Sequence, residues 1–209
     1  MFDHCRQDFG RCGPTFYSRL KEAVTNPAMW AVFQYRFQRW VRTSFPRPVR
    51  WLFAAVTIPC QVGMQILTQV QVPSAVRVGP GLCLPHTGYI VVGSGTVIGR
   101  SCTIAHGVTI GHAGGGSTSA AKTPVIGDRV YIGPGAILLG GIEVGADALI
   151  GAGAVVVRSV PARSVVVGNP ARILSDSGSF DLIEYPGMES DPLRQASLAA
   201  SRARSHHPS

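Results

Sequence analysis

Aliphatic residues recur every six positions through the middle of the chain. They stand at Val72, Val78, Leu84 and Ile90, resume after a short slip at Val92, Ile98, Ile104 and Ile110, and return after a longer break at Ile126, Ile132, Leu138, Val144, Ile150 and Val156. A period of six matches neither the 3.6-residue turn of a helix nor the alternation of one long strand. Very short strands joined by turns, each with one inward aliphatic side chain, do satisfy it. We therefore predict a stacked coil of short strands over residues 72–174, and not a sandwich, whose strands are spaced less regularly.

Glycine follows the same pattern. Of the 25 glycines in the 209-residue chain, 20 lie in residues 72–174. Eight of them directly follow an inward aliphatic residue: Gly79, Gly93, Gly99, Gly111, Gly127, Gly133, Gly145 and Gly151. Because glycine has no Cβ, it adopts turn conformations that other residues disfavour. We expect these eight glycines to form the turns of the coil.

The segments that flank the coil have other patterns. Residues 1–71 are predicted as an α-helical amino-terminal region, in which Trp30, Phe33, Phe37 and Trp40 recur at three- and four-residue intervals. Such a stripe on one helix face is typical of a packing surface. We expect it to pack within the protein and not to bind nucleic acid.

Two polar segments interrupt or follow the repeat. Residues 113–123, with the sequence AGGGSTSAAKT, break the hexads, and their composition indicates a flexible loop extruded from the coil. Residues 175–209 are rich in serine and alanine with mixed charges, and are predicted to be a disordered tail. His206 and His207 in that tail are weak candidates for any site.

The charge is concentrated at the amino-terminal end. The formal net charge is +8, and residues 1–50 hold nine Lys or Arg against three Asp or Glu. Nucleic acid, anionic lipid and a phosphorylated substrate are all candidate partners for such a region, although no nucleic-acid-binding motif is present. Residues 51–67 form an apolar run behind Arg42, Arg47 and Arg50. The run is short for a spanning helix, so a helix packed on the main domain is preferred over peripheral membrane contact.

Cysteine usage indicates a reducing compartment. The five cysteines, Cys5, Cys12, Cys60, Cys83 and Cys102, are odd in number and form no CxxC pair. The first residues, MFDHCRQDFG, do not read as a secretory signal. We therefore expect reduced thiols and a cytoplasmic location.

The hexad pattern resembles the hexapeptide-repeat acyltransferases, whose fold is a left-handed parallel β-helix of triangular section. In this family three hexads make one coil. The resemblance implies four to five coils over residues 72–174, preceded by the helical region. Left-handed connections are an exception to the usual rule, so the handedness comes from the resemblance alone.

Three histidines share one phase of this repeat. His86, His106 and His112 each lie two positions after an inward aliphatic residue, so each should point outward. His86 and His106 are separated by one coil plus the slip, which places them on adjacent rungs about 4.8 Å apart. His112 belongs around the next corner. No Asp, Glu or Cys has a matching phase, so no metal is expected, and a histidine general base is the favoured interpretation.

Residues 81–112, GLCLPHTGYIVVGSGTVIGRSCTIAHGVTIGH, and residues 130–174 look like the serine acetyltransferase branch of the family. The resemblance implies that His86 deprotonates an acceptor hydroxyl, which attacks the thioester of acetyl-CoA directly. It leaves His106 as a second catalytic candidate. It also implies a homotrimer, with the acyl site between neighbouring coils.

The resemblance implies a set of cofactor positions as well. They are His112, Pro134, Gly135, Ala152, Gly153, Arg158 and Arg172. The small residues among them would let the pantetheine arm approach the backbone. The two arginines would lie near the nucleotide phosphates, which favour cations.

Four positions depart from the branch. Gln71 and Pro85 replace two aspartates that surround the catalytic histidine in the family, and Lys122 and Thr123 replace an Arg-His pair that holds the serine carboxylate. For this reason a saccharide of the exopolysaccharide type is the preferred acceptor from sequence, with L-serine as the alternative. A noncatalytic β-helix scaffold that binds lipid or nucleic acid through its basic helices is the competing hypothesis.

Overall fold

The computed structural model describes residues 2–11, 13, 15–114 and 123–205. Most of the predicted loop, including Lys122, and His206 and His207 therefore lie outside the described residues. The chain begins with four helices: α1 (Phe2–Gly10), α2 (Phe16–Thr25), α3 (Pro27–Ser44) and α4 (Arg47–Thr68).

Short strands then wind around three faces. The first face holds β1 (Val70–Gln71), β3 (Ile90–Val92), β6 (Thr109–Gly111), β9 (Ile137–Leu139) and β12 (Val155–Val156). The second holds β2 (Arg77–Val78), β4 (Val97–Ile98), β7 (Val125–Ile126) and β10 (Glu143–Val144). The third holds β5 (Thr103–Ile104), β8 (Tyr131–Ile132), β11 (Leu149–Ile150), β13 (Val165–Val167) and β14 (Arg172–Ser175). Every pairing is parallel except β13 with β14, so the predicted coil is confirmed.

The hexad aliphatic residues form the core of the coil. Of the fourteen predicted inward positions, only Val72 is incompletely buried, and it packs against the core from the edge. Burial of each such side chain is worth about 1.5–3 kcal/mol of transfer free energy. One buried row on each face therefore holds the stack together without long strands.

The eight glycines after those residues do not have the role expected of them. None has a positive φ. At Gly127 an added Cβ would lie 2.7 Å from the backbone nitrogen of Ala146, and six of the eight positions would show a contact under 3.0 Å. At those six positions glycine is required because successive coils approach too closely for a side chain, whereas an added Cβ at Gly111 would meet no atom within 4 Å. The turn conformation belongs to other residues, described below.

The helices attach to the first coil through a buried ion pair. Asp8 of α1 and Arg36 of α3 lie 2.8 Å apart at Oδ2 and Nε, and both side chains are almost fully buried. Arg36 also donates to the carbonyl oxygens of Val78 and Gly79, at 2.7 and 2.6 Å. Asp8 accepts the backbone N–H of Gly81 at 2.8 Å. This pair therefore joins α1, α3 and the coil.

Other side chains extend the same attachment. The Tyr35 hydroxyl donates to the carbonyl of Val76 at 2.8 Å, and Arg39 donates to the same oxygen at 2.9 Å. Arg11 donates to the carbonyl of Gly81 at 2.7 Å. On the next turn the corresponding carbonyls, such as those of Thr96 and Ile98, accept N–H groups from the turn before, and the first coil has no preceding turn to supply that donor. Four side chains supply it, and we call them the coil cap: Arg11, Tyr35, Arg36 and Arg39.

The aromatic stripe of α3 lies away from the coil. The coil side of α3 carries small and apolar residues such as Ala28 and Val32, which are buried. Phe37 packs instead against Phe53 of α4, with ring centroids 6.3 Å apart, and is 37% exposed. Phe37 thus joins α3 to α4, while Tyr35, which is outside the stripe, is the buried aromatic residue that α3 directs to the coil.

Residues 175–205 differ from the predicted disorder. After β14 turns back along β13, Phe180 and Ile183 are buried, and Ser179 donates its hydroxyl to the carbonyl of Arg129 at 2.6 Å. A 3-10 turn (Met188–Ser190) and helix α5 (Pro192–Ser205) follow. Two isolated apolar anchors in a polar segment give no periodic signal, which explains why composition alone indicated a tail.

Candidate active site

His86 and His106 lie side by side on one edge of the coil. Each occupies the turn between the third face and the first, and each is exposed. Their ring centroids are 6.0 Å apart, with an angle of 67° between the planes. The outward direction and the adjacent rungs agree with the phase argument. Two imidazoles thus stand next to each other at the solvent boundary.

A column of glycines runs along the same edge. It consists of Gly88, Gly107, Gly135 and Gly153, which we call the glycine ladder. All four have positive φ, between +66° and +114°, a conformation that a Cβ disfavours. Backbone N–H groups link the rungs: Gly107 donates to Gly88 at 2.8 Å and Gly135 donates to His106 at 2.9 Å. The left-handed turns of this edge hold the two histidines in register.

The ladder continues past the histidines to the predicted pantetheine positions. Pro134 and Ala152 occupy the turns on the next two rungs, and Gly153 donates to the carbonyl of Pro134 at 2.8 Å. A Cβ added at Gly153 would meet no atom within 4 Å, so its missing side chain leaves open space on the surface. An extended, mostly apolar arm would fit along this strip against the backbone. The four small residues and both histidines are therefore on one edge, as a thioester donor requires.

His112 and the arginines lie elsewhere. His112 follows β6 at the corner between the first and second faces, where the loop begins, and is exposed. Arg158 and Arg172 line one surface cavity of about 310 Å³ near the last coil, together with apolar residues. Both arginine side chains are exposed, and Arg172 donates to the carbonyl of Ala171 at 3.0 Å. The structure thus brings the arginines together but places His112 on a different corner from His86.

The surroundings of His86 contain a contact that the sequence did not indicate. Asn26, between α2 and α3, donates its amide to the carbonyl of Pro85 at 3.3 Å and lies 3.5 Å from the carboxylate of Glu22. Its carbonyl oxygen accepts the N–H of Ala28 at 3.0 Å, which caps α3. The helical layer therefore reaches the backbone immediately before His86.

Among the described residues no side-chain hydrogen bond joins His86 to a carboxylate, and Gln71 on β1 is exposed. The described part of the chain also holds no cluster of three or more His, Cys, Asp and Glu side chains. A larger cavity, of about 880 Å³, lies between α1, α2 and residues 184–188 and is remote in sequence from both histidines. The chemistry available on the histidine edge is proton transfer by an exposed imidazole.

Known proteins match both the repeat and the whole arrangement. The family model "Bacterial transferase hexapeptide (six repeats)" matches residues 123–158. The serine acetyltransferase of Mycobacterium tuberculosis is 36% identical over 173 residues, which cover 80% of this chain and 72% of the relative. The crystal structure of the Brucella abortus serine acetyltransferase in complex with coenzyme A has a TM-score of 0.70 at 32% identity, over 82% of this chain and 66% of that one. The structure of the soybean serine acetyltransferase complexed with serine has a TM-score of 0.70 at 30% identity, over 82% of this chain and 68% of that one.

Other curated relatives are longer. The chain spans little more than half the length of the serine acetyltransferases of Synechococcus elongatus and Salmonella typhimurium, at 53% and 54%. The shared part includes the three-faced coil and helices before it, and it fixes the coil as a left-handed parallel β-helix. The chain belongs to the serine acetyltransferase family of hexapeptide-repeat acyltransferases.

Proposed function

We propose that this chain is an acetyl-CoA-dependent O-acetyltransferase that acetylates the hydroxyl of L-serine, with His86 as the general base. The observation that carries the proposal is the edge on which His86 and His106 adjoin the glycine ladder. An acyl transfer from a thioester needs a proton acceptor beside a surface on which a long arm can lie. This edge supplies both.

The residues of this chain have defined tasks in that reaction. The imidazole of His86 takes the proton of the acceptor hydroxyl while the oxygen attacks the thioester carbonyl carbon. When the carbon–sulfur bond breaks, the imidazolium returns the proton to the departing thiolate. His106, with its ring centroid 6.0 Å away, is placed to orient the acceptor or to share the proton. Neither histidine forms a covalent bond to the acetyl group, so the mechanism needs no acyl-enzyme.

The donor side rests on small residues and on cations. Pro134, Gly135, Ala152 and Gly153 would contact the pantetheine arm along the ladder. Arg158 and Arg172 share a cavity and would approach the phosphates, for which guanidinium groups are suited. A similar serine acetyltransferase has been solved in complex with coenzyme A, which supports coenzyme A as the donor's carrier.

The sequence leaves two candidate acceptors, and the comparisons favour the alternative stated above. Relatives named serine acetyltransferase support L-serine, and nothing among them supports the exopolysaccharide acceptor preferred from Gln71, Pro85, Lys122 and Thr123. Serine carries its own carboxylate and ammonium, so it can be oriented by contacts other than those four positions.

We also propose a homotrimer in which His86 faces a donor held partly by the adjacent chain. Tyr89 and Val91, next to His86, are 72% and 40% exposed, and apolar side chains in such positions favour burial between subunits. Light scattering of the purified chain measures the mass directly. An active monomer would contradict this placement.

A thiol-release assay tests the function. Purified protein is mixed with acetyl-CoA and a thiol reagent, and L-serine, D-serine, L-homoserine and a panel of sugars are added separately. We expect rapid CoA release with L-serine alone and acetylated product of the matching mass. Release with a sugar and not with L-serine would restore the saccharide acceptor. No release with any acceptor, together with no CoA binding by calorimetry, would contradict the enzyme assignment.

A further inference from the structure

Most apolar residues of helix α4 face away from the protein, whereas its polar residues face inward. It is 22 residues long, with an apolar window of mean hydropathy 1.4 of which only 6% is buried. By length and composition it is the one helix in the described residues that could cross a membrane. Between Arg50 and its end, α4 has no charged residue. The question is what its outer face contacts.

The polar residues of α4 point inward. Thr57, Gln61, Gln65 and Thr68 all lie on the side that packs on α3 or on the coil. Gln38 of α3 donates its amide to the Gln61 side chain at 3.1 Å. This polar seam accompanies the contact of Phe53 with Phe37, so burial against α3 accounts for only part of the hydropathy of α4.

The outer face is continuous and apolar. We call it the α4 face; its exposed residues are Trp51, Leu52, Ala55, Val56, Ile58, Pro59, Cys60, Val62, Gly63, Ile66 and Leu67. Trp51, Val56 and Ile66 are 78%, 72% and 76% exposed. A monomeric protein rarely exposes an apolar patch of this extent unless it binds something.

Cations surround one end of the α4 face. Arg42 and Arg47 are exposed, and Arg50 at the start of the α4 face donates to the carbonyl of Phe45. No Asp or Glu occurs between Glu22 and Asp128, so α3 and α4 carry no carboxylate that could pair with these arginines. The arginines of the coil cap are occupied by backbone carbonyls, whereas Arg42 and Arg47 make no such bond. An anionic partner complements this end, whereas the same face of a second copy would bring like-charged arginines together.

We infer that the α4 face lies in the surface of an anionic lipid bilayer, parallel to the membrane plane. An amphipathic helix with tryptophan and aliphatic residues on one side and basic residues at its border is suited to the boundary of headgroups and acyl chains. The helix does not span, because α3 is fastened to the first coil by the coil cap and both ends of α4 therefore remain on one side. The occupant is a lipid surface, and the coil with its histidine edge stays in water.

Vesicle flotation of the full chain tests this inference. Vesicles of phosphatidylcholine alone are compared with vesicles that also contain phosphatidylglycerol, at low salt and at about 1 M salt, where the screening length falls to about 3 Å. We expect flotation with the anionic vesicles at low salt and a strong reduction at high salt. Arg42→Gln with Arg47→Gln should weaken partitioning about 30-fold, at about fivefold for each cation removed.

A charge placed on the α4 face tests the apolar contribution. Val56→Glu with Ile66→Glu should abolish flotation, because both positions are exposed in the folded chain but would enter the acyl region. The matched control is Leu193→Glu on α5, which is 54% exposed and should float normally. CoA release by each variant shows that it is folded, independently of lipid.

The native thiols locate the contact. Cys60 is exposed on the α4 face, while Cys5 on α1 is only partly exposed. Anionic vesicles should slow labelling of Cys60 by a water-soluble maleimide about tenfold and leave Cys5 unchanged. Equal flotation of the double-glutamate variant, or unchanged Cys60 labelling on vesicles, would overturn the inference. The inference would also be overturned if the chain does not float and its mass rises with concentration in a way that Val56→Glu abolishes. That result would assign the α4 face to a second copy.

Discussion

The coil and helix α4 use apolar residues in opposite ways. In the coil, each hexad aliphatic side chain is directed into the core. In α4, polar side chains lie on the inner side together with Phe53, and most of the apolar residues face outward. The two regions are adjacent, since α4 runs directly into β1.

This difference shows when the hydrophobicity of a residue indicates that it is buried. In the coil the backbone path fixes the direction of every side chain, so an aliphatic residue in phase is necessarily inside. In the helical layer, position is set by side-chain contacts such as Asp8 with Arg36, and an apolar run carries no direction of its own. The coil is thus held by its buried aliphatic rows and by close backbone approach, whereas the helical layer combines buried apolar residues of α3 with a few specific polar contacts.

The largest effect should come from removing the base on the coil. His86→Ala should lower kcat about 10²–10⁴-fold, because general base catalysis contributes about that factor. CoA release with L-serine measures it. Leu193→Ala on α5, which removes an exposed side chain with no assigned role in the reaction, is the control and should remain close to the parent rate.

His106→Ala refines that result. If His106 only orients the acceptor, this variant should raise KM more than it lowers kcat. A near-normal rate for His86→Ala with a large loss in His106→Ala would transfer the role of base to His106.

The attachment of the helical layer is expected to be nearly as sensitive. Asp8→Ala leaves the buried guanidinium of Arg36 without its carboxylate, and loss of one partner of a buried pair costs about 3–5 kcal/mol. Urea unfolding followed by circular dichroism measures the loss. Arg100→Ala, which removes the exposed Arg100–Asp128 pair of the coil, should cost less than about 1 kcal/mol. Equal losses would show that Asp8 is not a specific anchor.

A methyl group tests whether backbone proximity holds the coil. Gly127→Ala places a Cβ 2.7 Å from the Ala146 nitrogen and should destabilise the chain by about 1–3 kcal/mol through overpacking. Gly111→Ala makes the same chemical change where no atom lies within 4 Å, and should be nearly neutral. Thermal unfolding of both variants gives the comparison, and a neutral Gly127→Ala would refute the packing explanation.

The smallest effect is expected where Asn26 of the helical layer contacts the coil. Asn26→Asp keeps the cap of α3, since the two residues cap equally well, but removes the amide that donates to Pro85. We expect kcat to fall about two- to tenfold, the value of one hydrogen bond, with stability within about 1 kcal/mol. Asn26→Ala should lose both the rate and the cap. Unchanged turnover in Asn26→Asp would show that Asn26 serves only to cap the helix.

The sequence predicts the coil far better than the site around it. Inward residues such as Ile104 follow from period and phase alone, and the same phase places His86 beside His106. The glycine explanation was wrong because the sequence shows where glycine occurs but not how near the next coil passes. The turn conformation falls on Gly107 and Gly135, whose phase differs from that of the glycines first considered.

Contacts between regions were not predictable in the same way. Asn26 meets Pro85, and Ser179 meets Arg129, across separations that no local pattern encodes. Such contacts depend on where a helix or a carboxy-terminal segment docks, which a single sequence does not specify. The basic character of the amino-terminal region likewise has two separate explanations: arginines that cap the coil, and arginines beside the α4 face.

The coil cap has a consequence for the state of the chain in solution. The end of a stack of parallel strands presents unpaired backbone groups, which form a template on which another strand or another chain can add. By giving carbonyls of the first coil guanidinium and phenol donors, the cap removes part of that template at one end, and at the other end β14 covers β13 on the third face by running antiparallel. Both devices oppose end-to-end association of chains at these positions.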